Sequence, residues 1–419
     1  MRIDRRSWLL GSGALFAATG LSFPARAAWQ ADGAPLPAPI SSAERLARIA
    51  KAQALMAKNE IGAVLVEAGP SLDYFTGVQW WRSERLTGAV IPVEGDPIIV
   101  TPFFEKPSVE ETLSVPAEIR TWHEHVEPLG LVADFLHEKK LADRKVGMEE
   151  TNRFFLFDRL QSELPGARIV SANPVVRGCR MFKSPAEIAL MQAASDITLA
   201  SIGAVMPKVK PGMTEGDVKA MLASEQMARG GSSPWALVLF GAAAALPHGT
   251  GKPQKLEAGQ VVLVDTGCEV HGYQSDISRT WVMGTPSAKQ RDVWNHVAEG
   301  QQVANRAAQL GASAGSVDDA VRAYYATLGY GPDYALPGTS HRTGHGIGME
   351  GHEPINLVRG ETGTLRPGMC FSNEPGIYLP GEFGVRLEDC FHMTEAGPTW
   401  FSVPPTSIDE PLGRSGGPA

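Results

Sequence analysis

The sequence is poor in cysteine, in positive charge and in long apolar runs. Its four cysteines, Cys179, Cys268, Cys370 and Cys390, form no CxxC pair and no zinc-like cluster, which sets aside zinc-finger and dithiol redox chemistry. An oxidising compartment would permit a Cys370–Cys390 bridge if their strands are neighbours. A domain of this size needs no staple, however, and buried free thiols are the expected state. Lysine and arginine number 38 against 46 aspartates and glutamates, a formal charge of −8. An acidic balance argues against nucleic acid as a partner. Past the N-terminus no eighteen consecutive apolar residues occur, so no later membrane span is expected. What the chain does have is 43% hydrophobic residues, 20% charged residues, 45 glycines and 31 prolines in 419 positions, which fits two domains with sizeable cores.

The first 28 residues read as a targeting segment. Arg2, Arg5 and Arg6 precede a mildly apolar stretch over 8–23, and Ala25-Arg26-Ala27 offers a small-x-small cleavage site. The paired arginines of DRRSWLL resemble a twin-arginine export signal, so the expected location is periplasmic or secreted. An uncleaved N-terminal anchor is the alternative. Cleavage removes four arginines and Asp4, taking the formal charge from −8 to −11 and leaving no stable membrane span.

After a loose lead-in, Leu46, Ile49, Ala52 and Met56 repeat at helical spacing. Apolar runs at 61–66, 86–92, 97–100 and from 145, with a helical stretch over 122–139, suggest a compact α/β domain spanning 29–176. Ser184-Pro185-Ala186-Glu187 is a capped helix start. Thr214 opens a second helix, and 286–310 and 316–328 supply two more. Strands are expected at 235–240, 261–265, 277–282, 369–374 and 385–389. This second unit, 177–405, reads as α+β with its acids inside strands, and 406–419 as a flexible tail.

The acids carry the chemistry. VVLVD at 261–265 is a buried-strand pattern that stops on Asp265, and Asp276 follows eleven residues later, past a turn at Gly272. Antiparallel pairing would bring the two aspartates face to face, where they repel unless something positive lies between them. The pair alone fits equally well one hydrogen-bonded acid and one surface acid. Three further segments extend it: HRTGHGIGMEGHEP around His345, FSNEPGIY with Glu374 at a strand end, and GVRLED with Glu388 after a short apolar run. Four carboxylates and one imidazole suit a hard or borderline divalent ion. Four acids exceed the needs of one small dication, and bridging between two ions roughly 3.5 Å apart accounts for the number.

The ordered strings VDTG, YQSDISRT, GHGIG, EPGIY and GVRLED resemble the pita-bread metallopeptidases, relatives of methionine aminopeptidase, aminopeptidase P, prolidase and creatinase. SLDYFTG, RSERL and RMFKSPAE resemble the smaller N-terminal domain and junction of the creatinase and proline-specific branch. The resemblance implies a pita-bread α+β catalytic domain preceded by a creatinase-like α/β domain. It implies that Asp265 chelates one metal, that Asp276 and Glu388 bridge two, and that His345 and Glu374 complete the second. Glu374 would act as general base and acid, with His248 and His352 as catalytic and substrate-binding histidines. His248 could instead be a surface residue before a glycine turn. His341 is a candidate cleft residue, and Arg386 either steadies the carboxylates or makes an ordinary salt bridge. Two divalent ions are implied, with oxygen-rich ligation favouring Mn²⁺ over Zn²⁺, Co²⁺ or Fe²⁺.

The implied activity is hydrolysis of the peptide bond before proline, as an Xaa-Pro aminopeptidase or dipeptidase acting on short proline-containing peptides. A homodimer is implied too, with Trp80, Trp81 and Arg82 as candidates for shaping a neighbour's cleft. Where aminopeptidase P relatives carry an SGPN-like string, this chain has the small apolar residues 241–245. That departure keeps a second reading open, a metal-dependent lyase or hydrolase of a small non-peptide molecule. A non-catalytic binding protein is disfavoured, because a retired site has no need of four converging acids.

Overall fold

The computed structural model describes residues 35–416. The export signal expected over 1–28 lies outside them, as do the last three residues. The first unit comprises α1 (Ser42–Lys58), β1 (Ile61–Glu67), α2 (Pro70–Thr76), β2 (Gly88–Pro92), β3 (Ile98–Pro102), α3 (Lys106–Thr112), β4 (Glu118–Trp122), α4 (Pro128–Glu138), β5 (Lys145–Met148), α5 (Phe154–Glu163), β6 (Arg168–Ser171) and α6 (Asn173–Arg180). Its six strands form one mixed sheet in the order β4-β3-β2-β1-β5-β6. Leu65 packs against Phe135 and Leu160 on one face, whereas Val64 and Val66 join Met56 and Phe75 on the other. Alternate residues of β1 therefore serve two cores, which is why the strand is apolar throughout.

The second unit begins with α7 (Pro185–Val205), whose Ser184–Glu187 capping box is formed, and α8 (Glu215–Ala228), capped by Thr214. Then come β7 (Ser232–Phe240), β8 (Val261–Val270), β9 (Tyr273–Gln274), β10 (Ile277–Val282), α9 (Ala288–Ala307) and α10 (Ala314–Thr327). The remainder is strand: β11 (Gly344–Gly346), β12 (Glu353–Leu357), β13 (Cys370–Asn373), β14 (Ile377–Leu379), β15 (Phe383–Val385), β16 (Asp389–Thr394), β17 (Gly397–Trp400), β18 (Ser402–Val403) and β19 (Arg414–Ser415). Two antiparallel sheets result, β10-β8-β7 with β9 beside β8, and β12-β11-β13-β16-β17. A bridge between Ser278 and Glu388 joins them at the cleft. This is the two-domain α+β architecture of a pita-bread domain preceded by a creatinase-like one.

β8 is the wall between two cores. Val261 and Leu263 pack with Val293, Trp294 and Val297 of α9. Val262 and Val264 pack with Leu199 and Ile202 of α7 and with Val218 and Leu222 of α8. Asp265 continues the first face, so the apolar run delivers its carboxylate to a fixed place. Helix α7 and the turn after it have the length and apolarity of a membrane span, with mean hydropathy 1.5 over Pro185–Lys208. Their apolarity reflects burial between β8 and the first unit, where Leu190, Met191, Ala194 and Ile197 share a core with Ile49, Met56 and Phe75. The two units are thus fused through one apolar core.

Residues 406–416 correct the expectation of a flexible tail. Ile408 is buried with the α9 core, and β19 pairs with β18. The Leu412 carbonyl accepts from Arg279 Nε at 2.6 Å. A fully buried guanidinium cannot leave donors unpaired, and this one draws the chain end onto the sheet. Arg279 also pairs with fully buried Asp389 at 2.6 Å and donates to the carbonyls of Ser278 and Glu388. The four cysteines are buried free thiols. Cys370 and Cys390 lie on paired strands but are offset, Cys390 facing Ser372 and Cys370 facing His392.

Replacing Asp389 by Ala strands the Arg279 charge in the core. Loss of about 3–5 kcal/mol is expected, read as a lower urea midpoint, whereas the exposed Lys289–Glu382 pair should cost less than about 1 kcal/mol to break.

Candidate metal centre

Each ligand candidate sits where an element ends. Asp265 lies on β8, Asp276 in the link from β9 to β10, His345 on β11, Glu374 just beyond β13 and Glu388 just before β16. Strand ends let a carboxylate leave an apolar sheet without burying charge inside it. The approach is tight: a Cβ at Gly344 would lie 2.1 Å from the Ser372 carbonyl oxygen, so glycine there allows β11 to close on β13.

All nine residues singled out by the sequence, His248, Asp265, Asp276, His341, His345, His352, Glu374, Arg386 and Glu388, line one cleft of about 670 Å³. Asp276, His345 and Glu388 offer ligand atoms within 4.8 Å of one another. His345 Nε2 is 3.2 Å from Glu374 Oε1 and 3.7 Å from Asp276 Oδ2. Its Nδ1 lies 3.0 Å from the Gly346 carbonyl, which can only accept. That contact puts the proton on Nδ1 and turns the Nε2 lone pair towards the acids. His352 stacks edge-on against His345, ring centroids 4.2 Å apart.

The electrostatics call for a cation. Asp265 Oδ1, Asp276 Oδ1 and Glu388 Oε1 are buried without a hydrogen-bond partner among the described residues. Burial, then the charges of Glu388, Asp265 and Glu374, pushes Asp276 well above the usual carboxylate range. Burial together with Glu374 and Asp265 does the same to Glu388. For Glu374 burial also pushes upward, but the hydrogen bond and charge of His345, with His341 and Arg386, outweigh it and bring the group down to about 2. Orphaned carboxylate oxygens beside an aimed imidazole are the donor set a divalent ion takes, so these residues fit a metal.

Arg386 is built into this set. Its guanidinium contacts Asp265 Oδ2 at 2.5 Å, Ser278 Oγ at 3.0 Å, the Pro247 carbonyl at 2.9 Å and Tyr378 Oη at 3.2 Å. Ser278 in turn donates to Glu388 Oε2 at 2.8 Å. Tyr378 lies 2.7 Å from His341 Nε2, and His341 Nδ1 is held by the Arg342 carbonyl. Burial lowers the His341 pKa, and burial with His345 and Arg342 takes His352 down to about 4, so both rings are neutral at pH 7. Residues 241–245 do not line the cleft. They form a 3-10 turn, Gly241–Ala245, packed against β15, with Ala244 and Ala245 buried.

Sequence reasoning missed Tyr378, Trp235, Leu237 and Arg342, which also contribute to the site. It missed Glu353 as well, although that residue stands beside His352 in the GHEP string. Glu353 is buried, accepts from the Met349 and Glu350 amides, and pairs with Arg180 at 2.7 Å and Lys183 at 2.8 Å. It fixes the loop between His345 and His352. Arg180 reaches on to Ser71 Oγ at 2.9 Å, tying that loop to the first unit. Buried cation–carboxylate pairs of high sequence separation leave no local signal, and only the neighbouring histidine could have flagged this one.

Fold and site together define a two-domain metal-dependent peptidase. Residues 189–395 match Metallopeptidase family M24, and residues 48–182 match the Creatinase/Prolidase N-terminal domain. The chain is 34% identical to a probable dipeptidase PepE of Mycobacterium tuberculosis, over 84% of this chain and 92% of the relative. It is 28% identical to an Xaa-Pro dipeptidase of Pyrococcus horikoshii, over 84% and 95%. The crystal structure of dipeptidase PepE from Mycobacterium ulcerans superposes with TM-score 0.81 at 32% identity, covering 88% of this chain and 98% of that one. The chain belongs to metallopeptidase family M24, in a form that carries the creatinase/prolidase N-terminal domain.

The Glu353 clamp has a pH signature. Burial pushes its carboxyl up, but Lys183 and Arg180 outweigh it and hold it at about 2. A depressed pKa stabilises the fold above the unfolded value and stops doing so as pH falls through the folded one. Urea titrations should therefore place Glu353→Gln below the wild type by on the order of 3 kcal/mol at pH 6, with the gap closing as pH drops from 4.5 towards 2.

Proposed function

We propose that this metallopeptidase hydrolyses the bond before proline in Xaa-Pro dipeptides, with two divalent ions, Mn²⁺ in preference to Zn²⁺, Co²⁺ or Fe²⁺. The observation that carries the reading is the set of three orphaned buried carboxylate oxygens, on Asp265, Asp276 and Glu388, around the aimed Nε2 of His345. The matched relatives named as dipeptidases and Xaa-Pro dipeptidases support the substrate class. Proline's tertiary amide and fixed ring favour a dedicated site of this kind.

Asp265, Asp276, His345, Glu374 and Glu388 would hold the ions. When bound, they supply a water of lowered pKa and Lewis-acid polarisation of the scissile carbonyl. The protein's own groups do the rest. Glu374, ionised beside His345, takes and returns the proton. His248 and the neutral His352 flank the substrate as hydrogen-bonding groups. Arg386 holds the Asp265 carboxylate in place and keeps charge balance when one oxygen is taken by metal. The packing of Gly241–Ala245 away from the cleft removes the feature that favoured a non-peptide substrate.

The proposal extends to the chain's setting. Export by the twin-arginine route would place a folded, metal-loaded enzyme in the periplasm or outside the cell. A homodimer is included, and its candidate contact is Trp81, which is 81% exposed and stacks on Trp80.

The test is a product assay with metal-stripped protein reloaded with Mn²⁺, using matched Xaa-Pro and Xaa-Ala dipeptides and longer Xaa-Pro peptides. Metal-dependent release of proline from Xaa-Pro alone is the expected outcome, with two ions bound per chain by elemental analysis. Asp276→Ala should lose metal and at least about a thousandfold in kcat/KM. Two bound ions without turnover of any Xaa-Pro peptide would overturn the assignment.

A further inference from the structure

Two arginines line the metal cleft, and they are in opposite states. Arg386 is saturated by Asp265, Ser278, Tyr378 and the Pro247 carbonyl. Arg342 is half-buried, and among the described residues its guanidinium makes no ion pair and no hydrogen bond. Only its backbone carbonyl is used, by His341. The buried arginines elsewhere each face a carboxylate: Arg45 meets Asp73, Arg180 meets Glu353, Arg279 meets Asp389 and Arg322 meets Asp318. A guanidinium drawn half out of water with five unspent donors is poised for a planar anion.

The substrate supplies one. A dipeptide carries two charges, an ammonium at one end and a carboxylate at the other, with the scissile carbonyl between. Asp265, Asp276, Glu374 and Glu388 make most of the cleft hostile to a second carboxylate. Arg342 is the arginine in its lining that no acid of the protein already neutralises. We propose that Arg342 binds the free α-carboxylate of the proline residue through paired N–H···O bonds, and so restricts the enzyme to dipeptides. This rests on the Xaa-Pro reading above. A longer peptide presents a neutral amide at the same place and forfeits the charge-assisted pair. His352 lies close enough to feel the Arg342 charge, and its neutral ring does not compete as a second cation.

The experiment compares the whole wild-type chain with Arg342→Gln and Arg342→Lys, all reloaded with Mn²⁺. Substrates are Ala-Pro and Ala-prolinamide, which differ only in the terminal charge. Arg342→Gln should raise KM for Ala-Pro by about tenfold or more with kcat within about threefold, and leave KM for the amide unchanged. Arg342→Lys should recover part of the loss. Calorimetric titration with Ala-Pro reads the same contact without turnover and should weaken by a similar factor. An unchanged Ala-Pro KM and affinity in Arg342→Gln, or equal losses for acid and amide, would overturn the assignment. If the wild type binds Ala-Pro but does not cleave it, the hydrolytic reading fails and the titration of Arg342→Gln still decides the role of Arg342. If it does not bind Ala-Pro, both fail.

Discussion

Four carboxylates crowded into one water-poor cleft repel one another, and most of this architecture can be understood as the means of holding them there. Like charges in a low-dielectric site stay together only where each is fixed by something stiffer than its own side chain. Asp265 is fixed by a strand buried on both faces, and Glu388 by a bridge across two sheets at Ser278. Behind these stand two arginines with different tasks. Arg386 faces the cleft and partly neutralises it, whereas Arg279 is fully buried beneath it and clamps β10 to β16 through Asp389. The centre is preorganised for a cation because the frame has already met the cost of assembling the acids.

The first unit participates in that frame rather than sitting apart from it. Its helix α1 shares a core with α7, and Arg48 reaches across to Tyr273 and Glu187. Through Ser71, Arg180 and Glu353, contacts that begin in α2 end beside His352. The loop that carries this histidine is therefore held from both units, which gives the smaller domain a part in the geometry of the cleft.

Sequence patterns made the strand-end acids legible because an apolar run that stops on a carboxylate is a local signal. VVLVD announced β8 and Asp265 together, and the glycines around His345 announced a close backbone approach that Gly344 makes against Ser372. The capping boxes at Ser184 and Thr214 were equally local. Other features depended on partners far along the chain. The role of Glu353 follows from Arg180 and Lys183, some 170 residues earlier. The Pro-, Gly- and Ser-rich composition near the end suggested looseness, but the Arg279 donors override it. Arg342 was the least legible, since what distinguishes it is the absence of a partner in three dimensions, and a sequence does not display an absence of that kind.

The Leu412–Arg279 contact spans 133 residues and bears on the order in which the protein can mature. A chain emerging from the ribosome carries Arg279 long before Asp389 and Leu412 exist to receive it. Until they arrive, β10 has no settled floor and the bridge from Ser278 to Glu388 cannot close. Metal acquisition is thereby deferred to a nearly complete polypeptide, so that the ion enters a finished cleft and the coordinating acids are not offered piecemeal during synthesis.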